Sequence, residues 1–114
     1  MTGDPPTARL APALALAYLR ELSAGVDAAV VLDAAGGALA GDAALAGPAR
    51  RLLAGAAPDA PLARERLRGG GWLLVARAAG DLAVAMRAAP EALVGLLEHD
   101  LQAVASDLGS ARMP

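Results

Sequence analysis

Apolar residues recur at helical spacing near the beginning of the chain. Over residues 8–23 they stand three or four positions apart, which predicts a helix with one buried stripe. The stripe consists of Leu14, Ala15, Tyr18, Leu19 and Leu22. Pro12 fits the first turn of this helix, where its missing N–H costs nothing, and Gly25 is expected to end it.

Two short strands with a glycine turn between them follow this helix. Residues 26–33 have one apolar face and one mixed face, with Asp27 and Asp33 near the ends. The apolar face consists of Val26, Ala28, Val30 and Leu32. Residues 34–37 read Ala-Ala-Gly-Gly and can supply the positive φ angles of a hairpin turn. Residues 38–41 are then the partner strand, so this region is predicted to be a β-hairpin.

A second helix is predicted from Asp42 to about Ala56. Asp42 can cap its N-terminus, and the apolar residues that follow have helical spacing. The Gly47-Pro48 pair interrupts the pattern, because proline removes a helical hydrogen bond and clashes with the preceding turn. Either the helix begins at Pro48, or an irregular turn precedes a kink. Residues 57–61 are expected to form a loop.

Residues 62–68 alternate imperfectly between charged and apolar positions and predict an exposed strand at a sheet edge. One face bears Arg64, Arg66 and Arg68, and the other bears Ala63, Glu65 and Leu67. The arginine row is either a solvated edge that prevents mispairing or a contact surface for an acidic partner or a neighbouring subunit. Arg50 and Arg51 in the second helix leave the same two interpretations open.

Two apolar strands joined by a Gly-Asp turn follow the glycines at 69–71. Residues 72–79 are apolar on both faces apart from Arg77, as in a strand that is covered on both sides. The next strand places Leu82, Val84 and Met86 on one face and Ala83, Ala85 and Arg87 on the other. Phosphate-binding glycine loops open a helix and usually include a lysine. The glycines at 69–71 lie between strands in a chain without lysine, so they predict a tight strand connection.

The last helix is predicted to begin at Pro90, with Glu91 at its positively polarised end, and to end at Gly109. Its apolar stripe consists of Leu93, Leu97, Leu101, Val104 and Leu108, widened by Val94 and Leu96. The predicted order is therefore helix, strand, strand, helix, strand, strand, strand, helix, which is an α+β arrangement.

Composition narrows the class of protein without identifying a chemistry. The 114 residues suit one domain, and the apolar fraction of 56% is rich in alanine and contains only 2% aromatic residues. Small side chains predict thin packing layers and close contacts between helices and sheet. The net charge of −2 gives no support for binding nucleic acid or an acidic membrane surface.

The position of the apolar runs favours a cytoplasmic domain. The longest run, Leu10 to Leu19, is far shorter than the roughly 20 residues of a membrane span. Asp4, Pro5 and Pro6 stand where a signal peptide would have basic residues. The chain contains no cysteine, which fits a reducing compartment.

No set of residues has the spacing of a catalytic, cofactor or metal site. His99 is flanked by Glu98 and Asp100 on a helix, where adjacent carboxylates cannot face the same ligand. Ser23 and Ser106 have no histidine nearby in sequence and no nucleophile-elbow pattern. Trp72 is expected to be an anchor in the core or an interface, because it has no aromatic neighbour with which to stack on nucleic-acid bases. We therefore expect a protein that is not an enzyme and has no cofactor.

Three segments in sequence order resemble the roadblock family, which includes the roadblock-type dynein light chains and bacterial regulators of small Ras-like GTPases. Leu19 to Leu39, LRELSAGVDAAVVLDAAGGAL, is similar to the family's first helix and hairpin. Leu67 to Met86, LRGGGWLLVARAAGDLAVAM, is similar to its later strands, and Pro90 to Leu108 is similar to its last helix.

The resemblance implies a profilin-like sandwich. Its single five-stranded antiparallel sheet would have the first and last helices on one face and the middle helix on the other, in one domain at 8–109. The flanking residues, 1–7 and 110–114, would be a disordered tail and a short C-terminal tail. Family members pair through the third strand and the middle helix. The corresponding positions here are Leu62, Arg64, Arg66, Leu67 and Arg68 on the strand, and Arg50, Arg51 and Leu52 on the helix.

The resemblance also implies a function: a non-catalytic dimeric scaffold or regulator in bacterial signalling. Its expected partners are a second copy of the chain and a small Ras-like GTPase or a sensor-kinase system. The alternative is a small-ligand sensor of related architecture, which requires a pocket. Three features depart from the family pattern: Gly47-Pro48 in the middle helix, Ser-Ala-Gly-Val at 23–26 where many members have Pro-Gly, and the arginine row on the third strand. Like charges would meet in a pair of identical edges, so a heterologous acidic partner is a second possibility.

Overall fold

The computed structural model describes residues 12–22, 25–78 and 81–110, which form the predicted order of helices and strands. The elements are α1 (Pro12–Leu22), β1 (Val26–Leu32), β2 (Ala38–Gly41), a 3₁₀ turn (Ala43–Leu45), α2 (Ala46–Ala54), β3 (Leu62–Arg66), β4 (Trp72–Arg77), β5 (Ala83–Ala88) and α3 (Val94–Ser110). The strands form one antiparallel sheet in the order β2-β1-β5-β4-β3. The predicted α+β class with a five-stranded sheet is confirmed.

Each face of the sheet is covered by helix, as the resemblance implied. The side chains of α1 and α3 bury one face, in a cluster that includes Leu19, Leu74, Met86, Leu101 and Val104. The 3₁₀ turn and α2 bury the other face, in a cluster that includes Val30, Leu45, Ala49, Leu73 and Val75. Because side chains alternate along a strand, β1, β4 and β5 contribute to both clusters. The sheet is therefore the middle layer of three.

The first strand differs from its predicted pattern at the start. Ala29 and Val31, on the face predicted to be mixed, are fully buried against the α1 and α3 side. Val26 packs on that side too, whereas Ala28 faces α2. The prediction that Val26 and Ala28 share a face was wrong, because the register with β5 shifts between these two residues.

The middle helix accommodates its proline by starting before it. Asp42 accepts a hydrogen bond from the backbone N–H of Ala44 at 3.0 Å and caps the 3₁₀ turn. The α-helix then begins at Ala46, so Pro48 lies in its first turn, where backbone N–H groups have no helical partner. Of the two predicted alternatives, the irregular preceding turn is the one observed. The helix ends at Ala54, close to the predicted end at Ala56.

The last helix begins at Val94, so the predicted start at Pro90 was wrong. Pro90 lies in a turn that is closed by a hydrogen bond from Ala92 N to Ala89 O at 3.0 Å. Leu93, which precedes the helix, is 68% exposed. The helix also continues past Gly109 to Ser110, within the usual uncertainty of a helix end.

Several residues predicted to be buried on the helices are exposed. Leu96 on α3 is 60% exposed, and Leu14 and Tyr18 on α1 are 57% and 47% exposed. In the α3 stripe, Leu97, Leu101, Val104 and Leu108 are buried as predicted, and Val94 is half-buried. Among the α1 side chains that the structure describes, Ala15, Leu16 and Leu19 are buried; the side chain of Leu22 lies outside the described part.

Some predictions fall outside the described residues. These are the tails at 1–7 and 111–114, the helical residues 8–11, Ser23 at the end of the first helix and Gly80 in the Gly-Asp turn. Among the residues that the structure describes, no helix has the length and apolarity needed to cross a membrane.

Candidate interaction edge at β3 and α2

The strand β3 lies at one end of the sheet and has an open side. It pairs with β4 along its whole length, and Pro61 O continues the ladder by accepting from Arg77 N at 2.9 Å. Antiparallel neighbours exchange hydrogen bonds at every second residue. The odd-numbered residues of β3 therefore bond to β4. The backbone N–H and C=O groups of Leu62, Arg64 and Arg66 point to the open side.

A tryptophan and two arginines cover this edge on the α1 and α3 face of the sheet. The guanidinium carbon of Arg64 lies 5.7 Å, and that of Arg66 4.9 Å, from the ring centroid of Trp72. Arg64 also forms a 3.1 Å salt bridge with Glu98 on α3, and Arg66 Nε donates to Gly70 O at 3.1 Å. Each exposed contact contributes little alone. Together they fix where the two positive charges lie.

An open groove of about 730 Å³ runs between α2 and β3. It brings together most of the residues that the resemblance implied for an interface. These are Leu62, Arg64 and Leu67 on the strand side and Arg51 and Leu52 on the helix side. Arg66, which lies over Trp72 as Arg64 does, does not line the groove, and Arg68 is exposed in the turn that follows. Arg50 lies on the other flank of α2, where it packs against Gly36.

The predicted strand at 62–68 was too long by two residues. It ends at Arg66, because Leu67 begins a turn in which its C=O accepts from Gly70 N at 2.9 Å. Gly69 and Gly70 adopt φ angles of +95° and +102°, which few residues other than glycine adopt. The glycine segment is thus a strand connection, as predicted.

Arg77 has a structural role that sequence reasoning did not assign. Its Nε donates to Ala60 O at 2.8 Å, and its Nη2 lies 3.3 Å from both Leu53 O and Ala57 O. These carbonyls belong to the last turn of α2 and the loop after it, where the helix dipole favours a cation. The residue therefore fastens the end of α2 to β4. The sequence signal for this role was that Arg77 is the single charged residue in an otherwise apolar strand.

Replacing Arg77 with methionine is expected to destabilise the protein by about 1–3 kcal/mol, because the three carbonyls lose a charged donor. Chemical unfolding followed by circular dichroism measures the change. Arg87→Met is the matched control, since Arg87 forms a 2.7 Å surface salt bridge with the exposed Asp27, and its loss should cost at most about 1 kcal/mol. Equal losses in the two variants would contradict the fastening role.

A second cavity, of about 320 Å³, lies on the opposite flank of α2, the one that bears Arg50 and Leu53. Asp33, Arg50, Arg77 and Asp81 contribute its polar groups. Asp33 accepts from the N–H groups of Ala35 and Gly37 at 2.9 Å, and Arg77 is engaged with carbonyls. Because two of the four side chains are already used to hold loops, the cavity gives little support to the ligand-sensor alternative.

Chemistry-bearing side chains are scattered over the described part of the chain. No group of three or more histidine, cysteine or carboxylate residues converges there in a way that could hold a metal ion. His99 is exposed on α3, as expected for a solvated residue.

The fold is similar to that of solved structures. No family model and no curated protein sequence matches the chain. A crystal structure of a Roadblock/LC7 domain from Streptomyces avermitilis superposes with a TM-score of 0.67 at 18% sequence identity. The match covers 78% of this chain and 87% of that one. The chain has the Roadblock/LC7 fold. The architecture implied by the sequence resemblance is thereby confirmed, and in this fold β3 and α2 are the third strand and the middle helix.

Proposed function

We propose that the protein is a non-catalytic scaffold or regulator in the cytoplasm that pairs with a second copy through β3 and α2. The observation that supports this most directly is the open side of β3 beside an uncovered groove. A bare strand edge invites pairing, and a matching edge on a second copy satisfies its backbone groups. The fold agrees with the proposal, since it is that of a Roadblock/LC7 domain.

The pairing geometry is set by the alternation along β3. Two copies of β3 can pair antiparallel with Arg64 of one opposite Arg64 of the other. This register aligns the three residues whose backbone groups point to the open side, so that Leu62 of one copy faces Arg66 of the other. Each backbone hydrogen bond gained contributes about 0.5–1.5 kcal/mol. This register also brings the two Arg64 side chains together, which is unfavourable. The salt bridge from Arg64 to Glu98 offsets part of that repulsion.

The proposed partner of the assembled scaffold is a small Ras-like GTPase or a sensor-kinase component. The support for this is the sequence resemblance to regulators of such GTPases, together with the fold. Arg51, Arg66 and Arg68 are exposed at this edge and favour an acidic surface on the partner. Arginines that stay exposed after the dimer forms would increase the rate at which the scaffold encounters this acidic partner.

Arg64→Pro is expected to weaken dimer formation at least about tenfold. The N–H of Arg64 points away from β4, so proline removes a donor from the interface and spares the ladder within the monomer. Analytical ultracentrifugation over a range of concentrations measures the change. Arg64→Ala is the control, because it removes the same charge and keeps the N–H; it should dimerise as well as the wild type or better.

Two outcomes would contradict the proposed assembly. One is a wild-type protein that remains monomeric at high micromolar concentration. The other is an Arg64→Pro variant that is folded by circular dichroism and dimerises like Arg64→Ala. Retention of a Ras-like GTPase by wild type but not by monomeric Arg64→Pro would show that assembly precedes partner binding.

A further inference from the structure

Four of the five large apolar side chains that are exposed lie on one side of the described protein. Leu14, Tyr18, Leu93 and Leu96 are 47–68% exposed on α1, on α3 or immediately before α3. Both helices pack on the same face of the sheet, away from α2. Scattered exposed leucines are ordinary, whereas a cluster on one surface marks a contact site.

The two helices turn these side chains toward a common groove. On α1, Leu16 contacts Gly41 of β2, so the opposite flank, with Leu14 and Tyr18, is directed toward α3. On α3, Glu98 reaches β3 through Arg64, so the flank with Leu96 is directed toward α1. A Cβ at Gly25, just after α1, would lie 3.1 Å from Ala92, just before α3. The helices are therefore antiparallel neighbours.

Carboxylates accompany the apolar residues in this groove. Glu21 stands one turn after Tyr18 on the same flank of α1, and Glu91 precedes α3 next to Leu93. Asp100 and Asp107 follow Leu96 at spacings of four and eleven, which keeps them on its flank. The α3 sequence contains no basic residue other than His99, and Arg20 is the only arginine of α1. The exposed arginines of α2 and β3 lie elsewhere.

We propose that the groove between α1 and α3 binds a basic amphipathic helix of a partner protein. Helices satisfy their own backbone groups, so this surface cannot extend a sheet and must be recognised through side chains. The apolar floor fits leucine-like anchors at helical spacing, and the carboxylates of Glu21 and Glu91 fit lysine or arginine beside them. The same negative charge disfavours an anionic membrane surface.

A second copy of the chain is a poorer fit. Its α2 has Arg50 and Arg51, but Ala49, Leu52 and Leu53 of that helix are already packed on the sheet. Of the other arginines that the structure describes, Arg20 lies on α1 itself, and the rest lie on strands β3, β4 and β5 or in the turn after β3. The groove also lies on a different surface from the β3 edge, so this binding does not depend on the proposed dimer.

The probe is a fluorescein-labelled 18-residue peptide of leucine and lysine arranged as an amphipathic helix, titrated against the full chain by fluorescence anisotropy. We expect it to bind at least about tenfold more tightly than a scrambled peptide of the same composition. The double variant Leu14→Ser/Leu96→Ser should lose at least about tenfold in affinity. Leu39→Ser is the matched control, because Leu39 on β2 is 48% exposed and distant from the groove. It should change affinity by less than about twofold.

Charge and assembly give two further readouts. Glu21→Gln/Glu91→Gln should weaken binding severalfold at low salt and reduce its dependence on ionic strength. Arg64→Pro should bind the peptide like the wild type, which separates this proposal from the β3 dimer. Equal binding of the scrambled peptide, or an equal loss in Leu39→Ser, would overturn the proposal. So would a change of oligomeric state in Leu14→Ser/Leu96→Ser, which would assign the groove to a second copy.

Discussion

Replacing Gly41 with alanine is expected to cost at least about 3 kcal/mol and to leave much of the protein unfolded. Gly41 ends β2 with a φ of +97°, a conformation that strains any other residue. A Cβ there would overlap Ala29 O, lie 2.9 Å from the Cα of Val30 and meet the Leu16 side chain. The two β1 atoms belong to a buried strand that is paired on both sides, so they cannot move away cheaply.

Gly69→Ala separates the two causes of this loss. Gly69 has nearly the same φ, +95°, but a Cβ there would have no heavy atom within 4 Å. Its substitution should therefore cost only the backbone strain, about 1–2 kcal/mol. Urea unfolding followed by circular dichroism measures both variants. If the two alanines cost the same, the contact with β1 does not determine the requirement for glycine at position 41.

Leu101→Ala is expected to destabilise the protein by about 2–5 kcal/mol. Leu101 is fully buried in the middle of α3, where it packs with Leu74 and Met86 of the sheet. Truncation removes buried methyl groups and leaves a cavity that the surrounding strands cannot close. The predicted loss is a large fraction of the 5–15 kcal/mol that stabilises an ordinary domain. Thermal and chemical unfolding both measure it.

Leu96→Ala on the same helix is the control for this prediction. Leu96 is 60% exposed, so the same change should alter the free energy of unfolding by no more than about 0.5 kcal/mol. Both variants replace leucine by alanine within one helix, so helix propensity cancels in the comparison. A large loss from Leu96→Ala would show that this side chain is covered in the folded protein.

The sequence was sufficient for the order of elements because each strand and helix has a local signal. Alternation in 82–87 and the Gly-containing turns at 34–37 and 69–71 depend on neighbouring residues alone. The pairing of distant strands does not, and the position of β5 between β1 and β4 was not predicted and follows only from the structure. The register shift between Val26 and Ala28 has no local signal, since it depends on the approach of β5.

The buried faces of the helices were predicted less well, because the helical spacing of apolar residues does not determine how wide the buried stripe is. Leu93 and Leu96 fit the helical repeat, yet Leu93 precedes α3 and Leu96 lies on an exposed flank of it. Pro90 was a reasonable first residue of a helix, but it also suits the turn that it occupies.

The candidate edge was predicted in position but not in detail. The alternation of charge at 62–68 correctly indicated a strand at the end of the sheet. The stacking of Arg64 and Arg66 on Trp72 depends on the β3–β4 register, which a single strand does not reveal. Arg50 and Arg51 must lie on different flanks of a helix, but which of them lines the groove depends on how α2 is rotated on the sheet.

The place of β5 has a consequence for how the chain is made. It is the last strand to leave the ribosome, yet it lies at the centre of the sheet between β1 and β4. Synthesis at about 5–20 residues per second places about 2–8 s between the end of β2 and the start of β5, but at most about 1 s between the end of β4 and the start of β5. Until then each hairpin has an inner edge without a partner, and neither can join the other. The sheet therefore closes in one late step, and delay before that step exposes two strand edges to other nascent chains.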